Sequence, residues 1–206
     1  CGSRVWHDDL VVIASGALET PRLIGNIGIP TAPLFCDTFA SIGGVCPGIG
    51  FDRDVPMGAY VAHESSLILS HYSRQLVATL QGAGHAVGEG DVLGMMVKIT
   101  DEDSGSVGAT IKKGVTEHDA RLLAQGSSVA GAILTGAGVD PVTFVSLPLR
   151  GSHPGGTARI GVSVDTSLRT RIAGLYVCDA SVLPKTPGAP PIITIIALAK
   201  YAAKRM

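Results

Sequence analysis

Charge is scarce in this sequence. Only 16% of its 206 residues are Asp, Glu, Lys or Arg, against about 25% in an ordinary soluble protein. The 16 basic and 17 acidic side chains nearly cancel, leaving a net charge of −1, so there is no basic excess of the kind a nucleic-acid partner demands. Long apolar runs are lacking too. The longest near either end, Ile192 to Ala199, is interrupted by Thr194 and falls far short of the roughly 20 residues a bilayer span needs. Cysteine is sparse: Cys1, Cys36, Cys46 and Cys178 show no C-x-x-C spacing, which excludes a zinc knuckle or a thioredoxin-like motif and gives no sign of an oxidising compartment. A cytoplasmic protein is therefore expected, with Cys178 as core filler.

Several catalytic patterns are also missing. His63-Glu64 begins like the zinc-protease motif, but position 67 is Leu and the second histidine ligand is gone. Gly161-Val-Ser163-Val ends on Asp165 where a nucleophile elbow needs glycine. Gly82-Ala-Gly84 and Gly88-Glu-Gly90 run on to Val87 and Leu93 where a dinucleotide-binding turn has its third glycine. No metal site is expected.

What is present is apolar content of 46%, ample for a core, with too little net charge for disorder. With so few charges, much of the surface is Gly, Ser, Thr or Ala, or is covered by something else. The chain opens on Cys1 and soon enters Leu10–Ala14, which reads as a buried strand of a parallel sheet. A strand so early suggests a piece of a longer chain. Thr20-Pro21 reads as the cap and first position of a short helix ending at Gly25. Gly58–Ala62, Ser66–Ser70 and Gly94–Ile99 are short apolar runs between turn residues and predict antiparallel strands. Thr116 and Asp119 form a capping box with Asp in the usual Glu position, opening a helix that Gly126 and Gly131 weaken. Gly174–Cys178 predicts a second buried strand, and Ile192–Arg205 a final helix with Lys200, Lys204 and Arg205 at its negative end.

The most distinctive segment is Gly151-Ser-His153-Pro-Gly-Gly156-Thr-Ala-Arg159-Ile-Gly161, followed by Gly174-Leu-Tyr-Val-Cys-Asp179-Ala180-Ser181 and Pro187-Gly-Ala-Pro190-Pro191-Ile192. Together these resemble the C-terminal signature of the glucose–methanol–choline (GMC) oxidoreductases. Val11–Ala17 and Thr20–Leu23 resemble the last strand and helix of that family's flavin domain. The resemblance is specific over residues 8–30 and 150–203.

The resemblance implies a mixed α/β fold, the C-terminal portion of a GMC-type protein. Residues 1–30 and 151–206 would belong to a flavin-binding parallel sheet, and residues 31–150 to an antiparallel substrate region. It implies FAD as cofactor and a small alcohol as substrate, with the Gly-rich nucleotide segment supplied upstream on the same chain or by a separate subunit. His153 stands at the family's base position, a role that suits an imidazole poised near neutral pH; read alone, it is equally a turn residue. Ser15, Gly16, Asp179, Ala180, Pro191 and Ile192 are the expected flavin contacts, Asp179 at the carboxyl edge of a strand, where ligands bind in α/β sheets. Asp179 also reads as a strand-end cap. Arg159 and Asp165 read as ion-pair or turn residues. Pro190 stands where the family commonly has His or Asn, and proline has neither donor nor side-chain acceptor. His63, Glu64 and His71 are candidate replacements that also read as structural residues. The other reading is a remnant or split subunit that binds no flavin by itself.

Overall fold

The computed structural model describes residue 5 and residues 7–206; Cys1 lies outside them. In chain order come β1 (Val11–Ile13), α1 (Gly16–Asn26), β2 (Thr38–Val45), β3 (Tyr60–His63), β4 (Ser66–His71) and α2 (Arg74–Gly82). Then follow β5 (Val92–Ile99), β6 (Ser106–Val107), β7 (Ile111–Lys112) and α3 (Glu117–Gly136). Last are β8 (Val145–Ser146), β9 (Arg150–Gly151), β10 (Leu175–Val177) and α4 (Ile192–Ala203). The fold is mixed α/β, with the chain dividing into two compact units.

The first unit comprises the chain up to Cys36, Asp103–Gly114 and His153–Met206. Its centre is a parallel pair, β1 with β10, in the register Val11↔Leu175, Val12↔Tyr176 and Ile13↔Val177. Only β10 is buried as the sequence predicts. Val11 and Val12 stay 48% and 42% exposed, because β10 is the one strand beside β1 among the described residues. Ile24, Ile29, Val164, Leu168, Val177 and Val182 form the core beneath, with Leu198 and Ala202 of α4 packed on it. The other side of α4 remains open: Ile192, Ile193 and Ile196 are 62%, 82% and 51% exposed.

The expected boundary of the middle region moves. Residues 103–114, assigned from sequence to the substrate region, belong with the first unit. Leu34 and Gly105 exchange both backbone hydrogen bonds at 2.9 Å, and Arg159 Nη1 pairs with Asp103 at 2.6 Å.

The second unit comprises Asp37–Glu102 and Val115–Ser152. It is an antiparallel sheet in the order β3-β4-β5-β2-β8, with β9 also on β2. The Leu122, Leu123, Ala130 and Leu134 side of α3 packs on Ala40, Ile68, Met95, Val97 and Ile99. The Thr116–Asp119 capping box is present, with Asp119 N donating to Thr116 Oγ1 at 3.1 Å and Thr116 N to Asp119 Oδ2 at 3.2 Å.

Glycine explains what the sequence pattern hid. Gly43 and Gly94 face each other across β2 and β5, and a Cβ on either would lie 3.1 or 2.6 Å from Leu76 Cδ1 of α2. Gly126 does not merely weaken α3: a Cβ there would lie 2.4 Å from Val97 Cγ1. These residues let helix and sheet approach closely.

Candidate functional site

At the carboxyl ends of β1 and β10 a single carboxylate joins two elements. Asp179 Oδ2 accepts from Gly16 N at 2.9 Å and from Thr20 Oγ1 at 2.7 Å, while Oδ1 accepts from Ser181 N at 2.7 Å. The group lies at the N-terminus of α1, where the free N–H groups and the helix dipole favour a negative charge. Gly16 has φ 82° as the first helical residue, a conformation only glycine takes without strain. Ser15 is the N-cap but gives no side-chain capping bond; Asp179 takes that part instead. The strand-end reading of Asp179 is thus the one its side chain fulfils, with both oxygens occupied within the protein. Next to it, burial first and the neighbouring Asp179 second push the Cys178 thiol up from its ordinary value, so it is a poor nucleophile.

Helix α1 starts five residues before the predicted site, and Pro21 lies inside it. Proline has no N–H, so the carbonyl four residues back loses its intrahelical partner. That carbonyl is Ala17 O, and Thr157 Oγ1 donates to it at 2.8 Å. Thr157 is buried, at 1% exposure. The backbone of this segment then runs along the turn after β10: Gly156 N donates to Ala180 O at 3.2 Å, Ala158 N to Ser181 O at 2.9 Å and Ile160 N to Val182 O at 3.0 Å. The two separate stretches, 153–161 and 179–184, form one hydrogen-bonded structure.

His153 begins that stretch. Its N–H donates to Cys36 O at 3.0 Å, and two residues later Gly155 exchanges backbone bonds with Phe35 at 3.1 and 3.2 Å. The buried Phe35 ring fills the space beside Gly155 and Gly156, where a Cβ would lie 2.3 and 2.8 Å from it. Proline and two glycines therefore fix the backbone next to a half-buried imidazole. Arg159 and Asp165 prove to be an ion-pair and a turn residue: Asp165 Oδ1 accepts from Ser167 N and Arg169 N at 2.8 and 3.0 Å. Arg159 holds the Asp103 carboxyl below its ordinary range, chiefly through their hydrogen bond.

A model of the GMC oxidoreductase family matches residues 97–199, half of the chain and all of the stretch just described. This chain belongs to the GMC oxidoreductase family. An uncharacterized protein of Methanocaldococcus jannaschii is 36% identical to it over 197 residues, which is 92% of this chain and 51% of that protein. An uncharacterized GMC-type oxidoreductase of Mycobacterium tuberculosis is 27% identical, over 95% of this chain and 39% of its own length. The chain thus spans about half, or less, of the curated relatives it matches. Among solved structures, a pyridoxine 4-oxidase from Mesorbium loti matches with a TM-score of 0.63 at 16% identity, over 96% of this chain and 51% of that one. A formate oxidase of Aspergillus oryzae, from a study of its FAD modification, matches with a TM-score of 0.66 at 15% identity, over 96% and 54%. These two likenesses concern the fold.

In this GMC chain, α4 begins at the expected residue: Pro191 is the N-cap and Ile192 the first helical residue. Pro191 offers no side-chain acceptor, so the first N–H groups of α4 have neither an intrahelical partner nor a cap from that residue. Pro190, just before, is exposed.

The residues considered as substitutes for the Pro190 position belong to the second unit. His63 is the last residue of β3 and Glu64 the first of the turn to β4, with Glu64 at φ 49° and Ser66 Oγ donating to His63 O at 2.7 Å. His71, at the end of β4, lines a small cavity with Phe39, Met96 and Arg150. Burial lowers its pKa from the ordinary 6.5.

Sequence reasoning missed a buried ion pair of the GMC chain. Lys98 Nζ lies 2.8 Å from Asp37 Oδ2, their side chains 3% and 0% exposed, and donates to Ser152 Oγ at 3.0 Å. Asp37 N and Thr38 Oγ1 donate to the two oxygens of Asp101 at 2.9 and 3.0 Å. Only the oddity of a lysine at the end of an apolar strand run signalled it.

Proposed function

We infer that this chain is the C-terminal part of an FAD-dependent oxidoreductase that oxidises a CH–OH group of a small alcohol. The observation that supports the reading is the hydrogen-bonded union of residues 153–161, which include His153, with residues 179–184, the stretch that follows the carboxyl end of β10. A flavin, when bound, supplies the two-electron acceptor for the hydride that leaves the carbinol carbon.

The residues fit such a group at one place. The N-terminus of α4, without a side-chain cap, begins with the exposed Ile192 and Ile193, which suits a flat, partly apolar ring carrying negative charge along one edge. Ser15, Gly16 and Ala180 would contribute backbone only, and Asp179 would act by holding Gly16 and Thr20 in position. His153 would take the hydroxyl proton as the hydride departs. Pro190 adds no hydrogen bond there, and His63 and Glu64 belong to the β3–β4 hairpin of the second unit. The dinucleotide phosphates need a glycine-rich turn that this sequence does not contain. The chain is accordingly proposed to act with a further segment, upstream or on a partner, seated beside β1. No helix among the described residues is long and apolar enough to cross a membrane.

The test is flavin reduction under anaerobic conditions, with the protein joined to its natural upstream sequence or co-expressed with the missing part. His153→Ala should slow reduction by alcohols roughly 10²–10⁴-fold, the usual range for a positioned acid–base group, with flavin content unchanged. The chain by itself should be colourless. A reduction rate within a few-fold of the parent would leave His153 as a turn residue. Absence of flavin in the completed protein would favour the second reading, a remnant that keeps the fold without the chemistry.

A further inference from the structure

The second unit contains a cavity of about 120 Å³ on the sheet surface beside the first turn of α2. At about 30 Å³ per water this is room for roughly four waters, enough for a carboxylate and a short carbon stub. Arg150, Gln75, His71 and Ser41 supply its polar wall, and Met96 and Leu147 its apolar one. No carboxylate is among the lining residues.

The polar wall consists largely of donors. Arg150 Nη2 donates to Gln75 Oε1 at 2.7 Å, which uses the amide's acceptor and leaves its N–H groups, with the other guanidinium N–H groups, to point elsewhere. His71 Nδ1 is buried with no hydrogen-bond partner among the described residues, and a buried polar atom left in that state costs free energy unless a ligand or water satisfies it. Ser73 caps α2, its Oγ accepting from Gln75 N at 3.2 Å, so the positive end of that nine-residue helix borders the same space.

We propose that this cavity is a binding site for the carboxylate of a small organic acid. The charge balance selects the ligand class. One guanidinium surrounded by neutral donors matches one negative charge, and guanidinium geometry matches two carboxylate oxygens. A dianion such as sulfate or hydrogen phosphate calls for a second cation, which the lining does not provide. Met96 and Leu147 suit a methylene or methyl stub. Burial disfavours the imidazolium of His71, keeping that group a neutral partner.

The probe is propionate, added to the purified chain and followed by saturation-transfer NMR, with propionamide and sulfate as comparison ligands. The expected result is saturable propionate binding on the order of millimolar, at least about 10-fold weaker for propionamide and for Arg150→Gln, as follows from losing a charge-assisted bidentate contact. Arg150→Lys keeps the charge and loses the fork, and should fall between the two. His71→Phe should also weaken binding. Circular dichroism establishes that each variant is folded; Arg150 is exposed, and its replacement leaves the core intact. The proposal is overturned if propionate does not bind, if propionamide binds as well, if Arg150→Gln binds unchanged, or if sulfate displaces propionate at lower concentration.

Discussion

Thr157 completes a helix to which it does not belong. Its hydroxyl donates at 2.8 Å to Ala17 O, the carbonyl that Pro21 cannot serve. A threonine of the glycine-rich stretch thus offsets the proline in α1, and the two residues should be energetically coupled. Thr157→Val should cost about 1–3 kcal/mol by leaving a buried carbonyl unsatisfied, with Thr157→Ser losing much less. In a Pro21→Ala background residue 21 regains its N–H, and the cost of Thr157→Val should shrink by at least about 0.5 kcal/mol. Urea unfolding of the four proteins of this cycle measures the coupling.

Asp179 has three donors to satisfy with two oxygens. Asp179→Asn keeps the shape but replaces one oxygen by an N–H donor, so at least one of Gly16 N, Thr20 Oγ1 and Ser181 N must lose its acceptor. A loss of about 1.5–3 kcal/mol is expected, as for a hydrogen bond to a charged group. Amide hydrogen exchange should locate it, with faster exchange at Gly16 or Ser181 and little change in α3.

Removing Lys98 should be among the costliest single changes in the second unit. Lys98→Met strips the Asp37 carboxylate of its ammonium partner at 0% exposure, a loss of about 3–5 kcal/mol. Adding Asp37→Asn should recover much of it, because the charge goes with its partner and asparagine tolerates the φ of 55° found there. Thermal unfolding of the single and double variants checks the order.

His71 gives the stability of the second unit a pH dependence. Burial lowers its pKa in the folded protein below the ordinary 6.5, so below that pH the unfolded chain binds the proton more readily. Its contribution is fully present above pH 6.5 and is lost as the pH falls through the lowered value. Urea midpoints from roughly pH 7.5 to 5.5 should decline more steeply for the parent than for His71→Phe, whose side chain does not titrate.

The parallel pair is legible in the β-branched runs that precede Gly16 and Asp179, although only β10 is buried as expected. The capping box of α3 and strands β3 to β5 were legible for similar local reasons. What escaped depends on partners remote in sequence. The central strand β2 carries Ser41, Gly43 and Gly44, which break the apolar alternation; the glycines are there for Leu76, Val139 and Phe144, none of them visible from the strand itself. The start of α1 is not legible, because Pro21 is usual at a first helical position and Thr157, which serves the carbonyl it leaves open, is remote in sequence. His153 is proposed through its motif, whereas the Arg150, Gln75 and His71 cavity has no motif and arises where β4, α2 and β9 come together.

Phe35 gives the substitutions open to this protein a direction in time. While the ring is in place, alanine at Gly155 would put its Cβ 2.3 Å from Cζ, so that change is closed as a first step. Trim the ring to a smaller side chain and the nearest obstacles recede to the Ala180 carbonyl at 3.0 Å, a contact that a slight shift can relieve. Gly156 gains no such freedom, since its φ of 81° penalises any side chain whatever stands at position 35. Two adjacent glycines with the same neighbour thus have different histories open to them: one can be replaced after a change elsewhere, and the other stays fixed by its own backbone.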